Sequence, residues 1–344
     1  MALQSSGAIS LQDIEDEFGG TGSISLSEYY RNGTYVTSNN TSVPTSGTID
    51  MADFYGTVKQ FTYTFSSNAK EVNLNTTLTN AGWDGSAPVV LTINSGVYLW
   101  SDNTSVAGLT ISSAFNNGLT ITNNGYIIGR GGNGGAAENE DGGNGGPAIS
   151  NSATNVVIIN SSGAYIAGGG GGGGASGDSG YVGGGGGGAG GGIGGGGGIN
   201  LQGSAFSSAA LGAQGGPTSA ITHTYGDAGS YVSAVGGYAG GGGSQFDATG
   251  SDKASFRGGN GGRSFTAHSG NIGGAGGNSN ADGGSQGNAG SSSTSGAGGG
   301  GGGGWGAAGG NGGYSNPGNG GSGGAAISGT SVSLTNNGTI YGST

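Results

Sequence analysis

Through residues 58–128 apolar and polar positions alternate. Phe61-Thr62-Tyr63-Thr64-Phe65 and Val72-Asn73-Leu74 put every second side chain on one face, the pattern of half-buried strands. Val89–Ile93 and Val97–Trp100 are continuous apolar runs, and Asn94-Ser95-Gly96 between them predicts a tight hairpin. Leu109–Ile111 and Leu119–Ile121 follow. Short strands at regular intervals predict either a small sandwich or the first rungs of a solenoid. Trp83 and Trp100 read as core fillers in a region short of bulk, with sugar stacking as the alternative.

Residues 1–57 carry a different pattern, repeated three times as Gly7–Ile14, Gly22–Tyr29 and Gly47–Phe54. In each copy a Ser or Asp is followed three residues later by an acid, the arrangement of a capping box. An apolar residue before the cap and another one turn into the helix supply a hydrophobic staple. Three helices of one to two turns are predicted, closed by Gly19, Arg31-Asn32-Gly33 and Gly56. So small a core does not stand alone. The segment either leans on another chain through Ile9, Leu11, Ile14, Ile24, Leu26, Tyr29, Ile49, Met51 and Phe54, or packs as a helical cap on its own chain.

Beyond residue 128 the hydrophobic pattern gives way to glycine. Of the 93 glycines, 77 lie between Gly129 and Gly324, in discrete blocks such as Gly129–Gly135, Gly142–Gly146, Gly168–Gly174 and Gly318–Gly324. Glycine-rich sequence without a period is ordinarily flexible, because ordering costs about 1–2 kcal/mol per residue and no side chain is buried in return. The absence of a Gly-X-Y triplet excludes collagen. Blocks of this length have another solution. A polyproline-II-type helix has three residues per turn and no internal hydrogen bonds, so all its amides point sideways toward neighbouring helices. Glycine alone permits the close approach, which adds Cα–H···O contacts. A helix surrounded on all sides must then be all glycine, as in Gly168–Gly174. One at an edge shows a polar residue each turn, as in Gly131-Gly132-Asn133-Gly134-Gly135.

Matched ends favour order over linker. Leu119–Gly129 aligns without a gap on Val332–Gly342, sharing Thr-Asn-Asn-Gly, and Val157–Gly168 is a looser copy. Each reads as strand, Asn-Gly or Ser-Gly turn, strand, a hairpin signal. Gly-Pro147-Ala148-Ile149-Ser150 and Gly-Ala325-Ala326-Ile327-Ser328 match likewise.

The stretches NNGYIIGRGGNGG and GGNGGPAIS, alternating with long glycine blocks and aromatic connectors, resemble the glycine-rich receptor-recognition proteins of tailed phages. The tail-fibre adhesins of T-even-type phages, whose tip is a sandwich of polyglycine-II helices, are similar over roughly residues 119–344. The resemblance implies a rigid glycine scaffold whose distal connectors touch a host outer-membrane protein or surface glycan. The 1–57 stretch is similar to segments of many phage structural proteins, which implies attachment to another virion or tail-fibre protein. The implied location is the virion, after assembly in the host cytoplasm.

The remaining gross features narrow the partners. A net charge of −11, with seven basic residues, argues against nucleic acid and against a polybasic membrane anchor. No apolar run approaches 18 residues, no signal peptide is recognisable and no cysteine is present. The Gly-x-Gly-x-x-Gly matches lack the strand, helix and acid of a dinucleotide site, and no phosphate loop occurs. His223 and His268 have no metal-ligand or catalytic spacing. Glu138, Glu140 and Asp141 read as a solvated turn rather than a glycosidase pair. No cofactor, metal or catalytic residue is expected.

Binding therefore falls to the connectors. Antiparallel blocks place 199–235, 263–272 and 314–317 at one end, with His223, Tyr225, Tyr231, Arg263, Phe265, His268 and Tyr314. The opposite end carries Phe246, Lys253, Phe256, Arg257 and Trp305. Exposed aromatics with an occasional Arg have the composition of binding hot spots. Half of them are expected to fold inward and seal the lattice, and the phase depends on whether Gly183–Gly198 is one helix or two. The expected chain is mostly β or irregular. It has a helical attachment segment at 1–57, a β neck at 58–128 and a polyglycine-II sandwich framed by repeated β-hairpins at 129–344. It reads as a non-enzymatic adhesin and a candidate homo-oligomer, with a non-receptor capsid or tail-appendage protein as the alternative.

Overall fold

Alternation along Phe61–Phe65 (β1), Val89–Ile93 (β4), Leu119–Asn123 (β7) and Val156–Asn160 (β10) turns every second residue inward. Inward residues stack on one another because the strands pair in parallel and in register, so that Leu91 meets Ile121 and Ile121 meets Ile158. The computed structural model describes residues 3–20, 22–37, 40–85, 87–135, 139–175 and 299–344 except 314–315, with short pieces between 181 and 284. Those pieces include three two-stranded antiparallel pairs. They are Tyr181–Val182 (β12) with Gly198–Ile199 (β13), Tyr231–Val232 (β14) with Gly237–Tyr238 (β15), and Ser279–Asn280 (β16) with Gly283–Gly284 (β17).

Three parallel sheets form a solenoid. The first has the order β1-β4-β7-β10-β19, where β19 is Ser333–Asn336. The second runs Ala69–Lys70 (β2), Tyr98–Trp100 (β5), Tyr126–Ile128 (β8), Tyr165–Ala167 (β11) and Thr339–Tyr341 (β20). The third stacks Val72–Asn73 (β3), Leu109–Ile111 (β6), Ile149–Asn151 (β9) and Ile327–Gly329 (β18). Each circuit visits the sheets in that order, as a solenoid rung does. Leu91, Leu99, Leu109, Ile121, Ile127, Ile149, Ile158 and Ile166 are fully buried between the sheets. Trp83 stacks on Phe115, with ring centroids 4.6 Å apart, and fills the same core rather than a sugar site.

The expected hairpins are corner turns. β7 and β8 do not pair with each other; each pairs with the rungs before and after it, and β4 and β5 behave alike. A two-residue hairpin of the type Asn-Gly signals needs positive φ at both central residues. Neither Asn124 nor Gly125 has it, so the chain bends without reversing. Close stacking demands the glycine instead: a Cβ on Gly125 would lie 2.3 Å from the Val97 carbonyl oxygen. At the corner the Asn123 carboxamide oxygen accepts from the Gly125 amide. Its nitrogen donates to Asn160, which in turn donates to Asn336, both at 2.8 Å. Such amide ladders satisfy buried polar groups along a stack of parallel rungs.

Two further expectations shift. Leu74 begins an α-helix, Leu74–Asn80 (α2), rather than ending a strand, because the Asn73 side chain caps it by accepting from the Thr76 amide. The third copy of the repeat pairs one residue earlier than its alignment, Val156 against Leu119, with two extra residues in its turn. The other alignments match the register: Ser333 and Thr120 both face Val157, and Ile327 faces Ile149.

Glycine enters as two long excursions from this solenoid, between β8 and β9 and between β11 and β18. Their amides bond between segments with a period of three. Gly169, Gly172 and Ala175 donate to Gly146, Gly143 and Glu140, while Gly132 and Gly135 donate to Gly170 and Gly173. Gly300 and Gly303 donate to Gly174 and Gly171, and Gly321 and Gly324 to Gly172 and Gly169. Gly168–Gly174, with neighbours all round, is entirely buried. At the margins, polar residues replace the missing neighbour. The Asn144 side chain accepts from the Ser322 amide, Asn311 from Gly320 and Asp141 from Asn319.

Candidate functional site

In the amino-terminal segment the three copied motifs become Leu11–Phe18 (α1) and 3-10 turns at Leu26–Glu28 and Met51–Phe54. Ser10 with Asp13 and Asp50 with Asp53 form complete capping boxes, whereas Ser25 caps by accepting from the Ser27 amide without a reciprocal bond to the Glu28 side chain. The hydrogen bonds from Ser10 hold the Asp13 carboxyl below its ordinary pKa. Ile14, Tyr29 and Phe54 are wholly buried with Phe18, Val36 and Val43. They hold the segment together and offer no contact surface, which corrects their place among the attachment candidates. Ile9, Leu11, Ile24, Leu26, Ile49 and Met51 are each only half buried. The same apolar pair, flanking the cap, thus reaches the surface three times.

The outer face of the second sheet anchors the glycine excursions. Tyr98, Tyr126 and Tyr165 occupy one register column, with centroids 4.6 and 4.3 Å apart, and burial raises the pKa of Tyr98 and Tyr165. Ile128, Ala167 and Tyr341 form the next column, and Trp305 lies against them, 1 % exposed. Trp305 is therefore an internal anchor and not an exposed connector aromatic; a buried column of aliphatics ending at the glycine blocks gave it somewhere to go. Lys70 and Asp102 pair at 2.9 Å near the edge of this face, with the Lys70 ammonium over Trp100. The pair raises the Lys70 pKa and lowers that of Asp102. Behind it the guanidinium of Arg130 is almost buried, and desolvation lowers its pKa against the pull of Asp102.

Both excursions leave from carboxyl ends of second-sheet strands, β8 and β11. His223, Tyr225, Phe246, Lys253, Phe256, Arg257, Arg263, Phe265, His268 and Tyr314 lie outside the described residues, as does the side chain of Tyr231, whose backbone belongs to β14. Of the acid cluster, Asp141 caps a neighbouring glycine segment and the Glu140 carbonyl accepts from Ala175. No group of acids and histidines able to hold a metal occurs among the described residues. The polar residues that pattern reading overlooked are Asn123, Asn160 and Asn336; the repeated Asn-Asn-Gly marks the first and last, and Asn160 opens the looser Asn-Ser-Ser-Gly copy.

A family model described as phage tail fibre adhesin Gp38 matches residues 60–256, more than half of the chain. The chain belongs to this adhesin family. As a tail fibre adhesin it is a receptor-binding component of the virion. None of the curated protein sequences matches it. Among solved structures it is similar to the gp37-gp38 adhesin tip complex of the bacteriophage S16 long tail fibre. Identity is 22%, coverage is 87% of this chain and 88% of that one, and the TM-score is 0.49. For a Gp38-type adhesin the described surfaces divide in two: a repeated apolar surface at the amino terminus, and a backbone-bonded glycine region rooted on the solenoid.

Proposed function

We propose that this adhesin recognises its host receptor through the connectors of a polyglycine-II sandwich. The period-three hydrogen bonding around Gly168–Gly174 carries the reading. A helix with three residues per turn returns the same face to the same neighbour at every third residue, as Gly169, Gly172 and Ala175 do. In the division we propose, 1–57 attaches, 58–128 is the neck and 129–344 the tip, although the solenoid sheets take strands from both sides of residue 128. A lattice whose amides are already paired gives its loops few conformations to lose, which lowers the entropy cost of binding. Several copies per particle would add avidity. The receptor is a host outer-membrane protein or surface glycan. Deleting 199–235 is expected to reduce adsorption to host cells at least a hundredfold while particles still assemble; normal adsorption by such particles would refute the assignment.

The amino-terminal segment in this reading docks another tail-fibre protein. Its support is the threefold recurrence of one half-exposed apolar pair, as in Ile24 and Leu26, on a self-contained core. Burying such side chains contributes about 1.5–3 kcal/mol each. The double substitution Ile24→Asp with Leu26→Asp should leave purified protein folded but absent from particles, measured by immunoblot of purified virions. Full incorporation would place the attachment surface elsewhere.

A further inference from the structure

The solenoid ends differently at its two extremities. At the β1 end α1 approaches the stack, and Asp16 and Glu17 share a cleft of about 410 Å³ with Phe61, Asp84 and Ala87. On that side Leu74 and Leu78 of α2 and Trp83 cap the core and are buried. The far end has no such lid among the described residues. β19 pairs only with β10, β20 only with β11, and the β16–β17 hairpin comes near β20 without joining its sheet. Leu334 and Ile340 occupy the register positions of the buried Ile158 and Ile166 but are partly exposed. Asn336 occupies the position of the buried Asn160 and is exposed.

The amide ladder gives this end a direction. Asn123 donates to Asn160 and Asn160 to Asn336, so the last Nδ2 points onward, with no partner among the described residues. The Asn336 oxygen is already used, accepting from Asn160 and from the Gly338 amide. The Asn337 amide donates to Asn160. By the alternation of a strand, the amides of Asn336 and Leu334 therefore face away from β10. One more rung thus finds main-chain groups with no partner among the described residues, two partly exposed aliphatic side chains and a carboxamide donor at a defined register.

We propose that the terminal rung, β19 and β20, is a strand-addition site for an extended segment of a host surface protein. The segment lies parallel to β19 and carries an amide or other acceptor side chain at the ladder position. Unpaired edges are templates for this mode of recognition, in which main-chain bonds give affinity and alternate side chains give specificity. The host is the source because the vacant rung is at the opposite end of the stack from α1. This choice rests on the reading that the amino-terminal segment faces the particle.

The probe is a fluorescein-labelled peptide reproducing residues 119–129 of this chain, which already forms a rung, added to the full-length protein. Binding is read by anisotropy and by hydrogen exchange of the β19 and β20 amides. Exchange of Leu334 and Asn336 is expected to slow at least tenfold, and the peptide with alanine at the ladder asparagine should bind several-fold more weakly. Asn336→Asp keeps the acceptor for Asn160 and Gly338, removes the donor and adds a carboxylate charge at an exposed position. That variant should melt like the parent and bind the peptide at least fivefold more weakly, and particles carrying it should adsorb at least tenfold more slowly. Three results overturn the site: no protection by the peptide, equal protection by a scrambled peptide, or Leu334 and Asn336 amides already as slow as those of β10. Unchanged adsorption by Asn336→Asp particles overturns the host as source. If the 199–235 deletion still abolishes adsorption, the adhesin reading survives either failure.

Discussion

Replacing Gly172 by alanine is expected to dismantle the glycine region while sparing the solenoid. A Cβ there would sit 1.9 Å from the carbonyl oxygen of Asn133 and 2.4 Å from its carbon. No flexible side chain can move aside, because every neighbour is backbone that is hydrogen-bonded on its other sides. Gly172 donates to Gly143 at 2.8 Å and accepts from Gly321 at 2.7 Å, so displacing the segment breaks bonds in both directions. Each buried donor or acceptor left unpaired costs about 1–3 kcal/mol. With the steric term the loss should exceed about 4 kcal/mol, among the largest single-site effects. Hydrogen exchange should show residues 131–135, 142–146 and 318–324 losing protection while β4, β7 and β10 keep theirs. Gly143→Ala is the control, since its Cβ finds the nearest atom at 3.1 Å in an exposed position. Equal melting temperatures for Gly172→Ala and the parent would mean that the segments are not packed as described.

Trp305→Ala should have the second-largest effect, by a different route. Its indole is the largest fully buried side chain and joins the returning glycine segment to Ile128, Ala167 and Tyr341. Removing an aromatic of this size from a core costs about 3–5 kcal/mol. The cavity would open where the lattice meets the solenoid. Adsorption should therefore fall together with thermal stability, and Trp305→Phe should recover most of both. Collapse of the neighbours into the space is restricted at Gly306, where φ is +62° and an added Cβ would lie 2.3 Å from the Gly342 amide. A Trp305→Ala protein that melts within a degree or two of the parent would show that the anchor is elsewhere.

Much of the local design was legible. Ser10 and Asp13 announced a capping box because capping is decided within four residues. The gapless match of Leu119–Gly129 to Val332–Gly342 predicted which residues lie side by side, because rungs in register repeat the same inward positions. Asn124-Gly125 misled for an equally physical reason. The dipeptide permits a reversal but does not impose one, and parallel partners on both sides satisfied β7 and β8 without it. Trp305 among glycines looked exposed, since its near neighbours in sequence are only glycine and alanine. Its partners lie at residues 128, 167 and 341.

What the sequence determined by itself is therefore the set of elements that depend on near neighbours: capped turns, alternating strands, and blocks that only glycine can fill. Tertiary structure alone decided that the corners are not hairpins, that the glycine excursions are rooted on successive rungs, and that no described strand continues the ladder past β19. The reason is the range of the bonds involved. A cap closes over three residues, but the amides of Gly168–Gly174 find partners up to 173 residues away in Tyr341, and Asn160 finds Asn336 176 residues on. No local pattern encodes such a pairing until the solenoid has set the register of the segments that it holds.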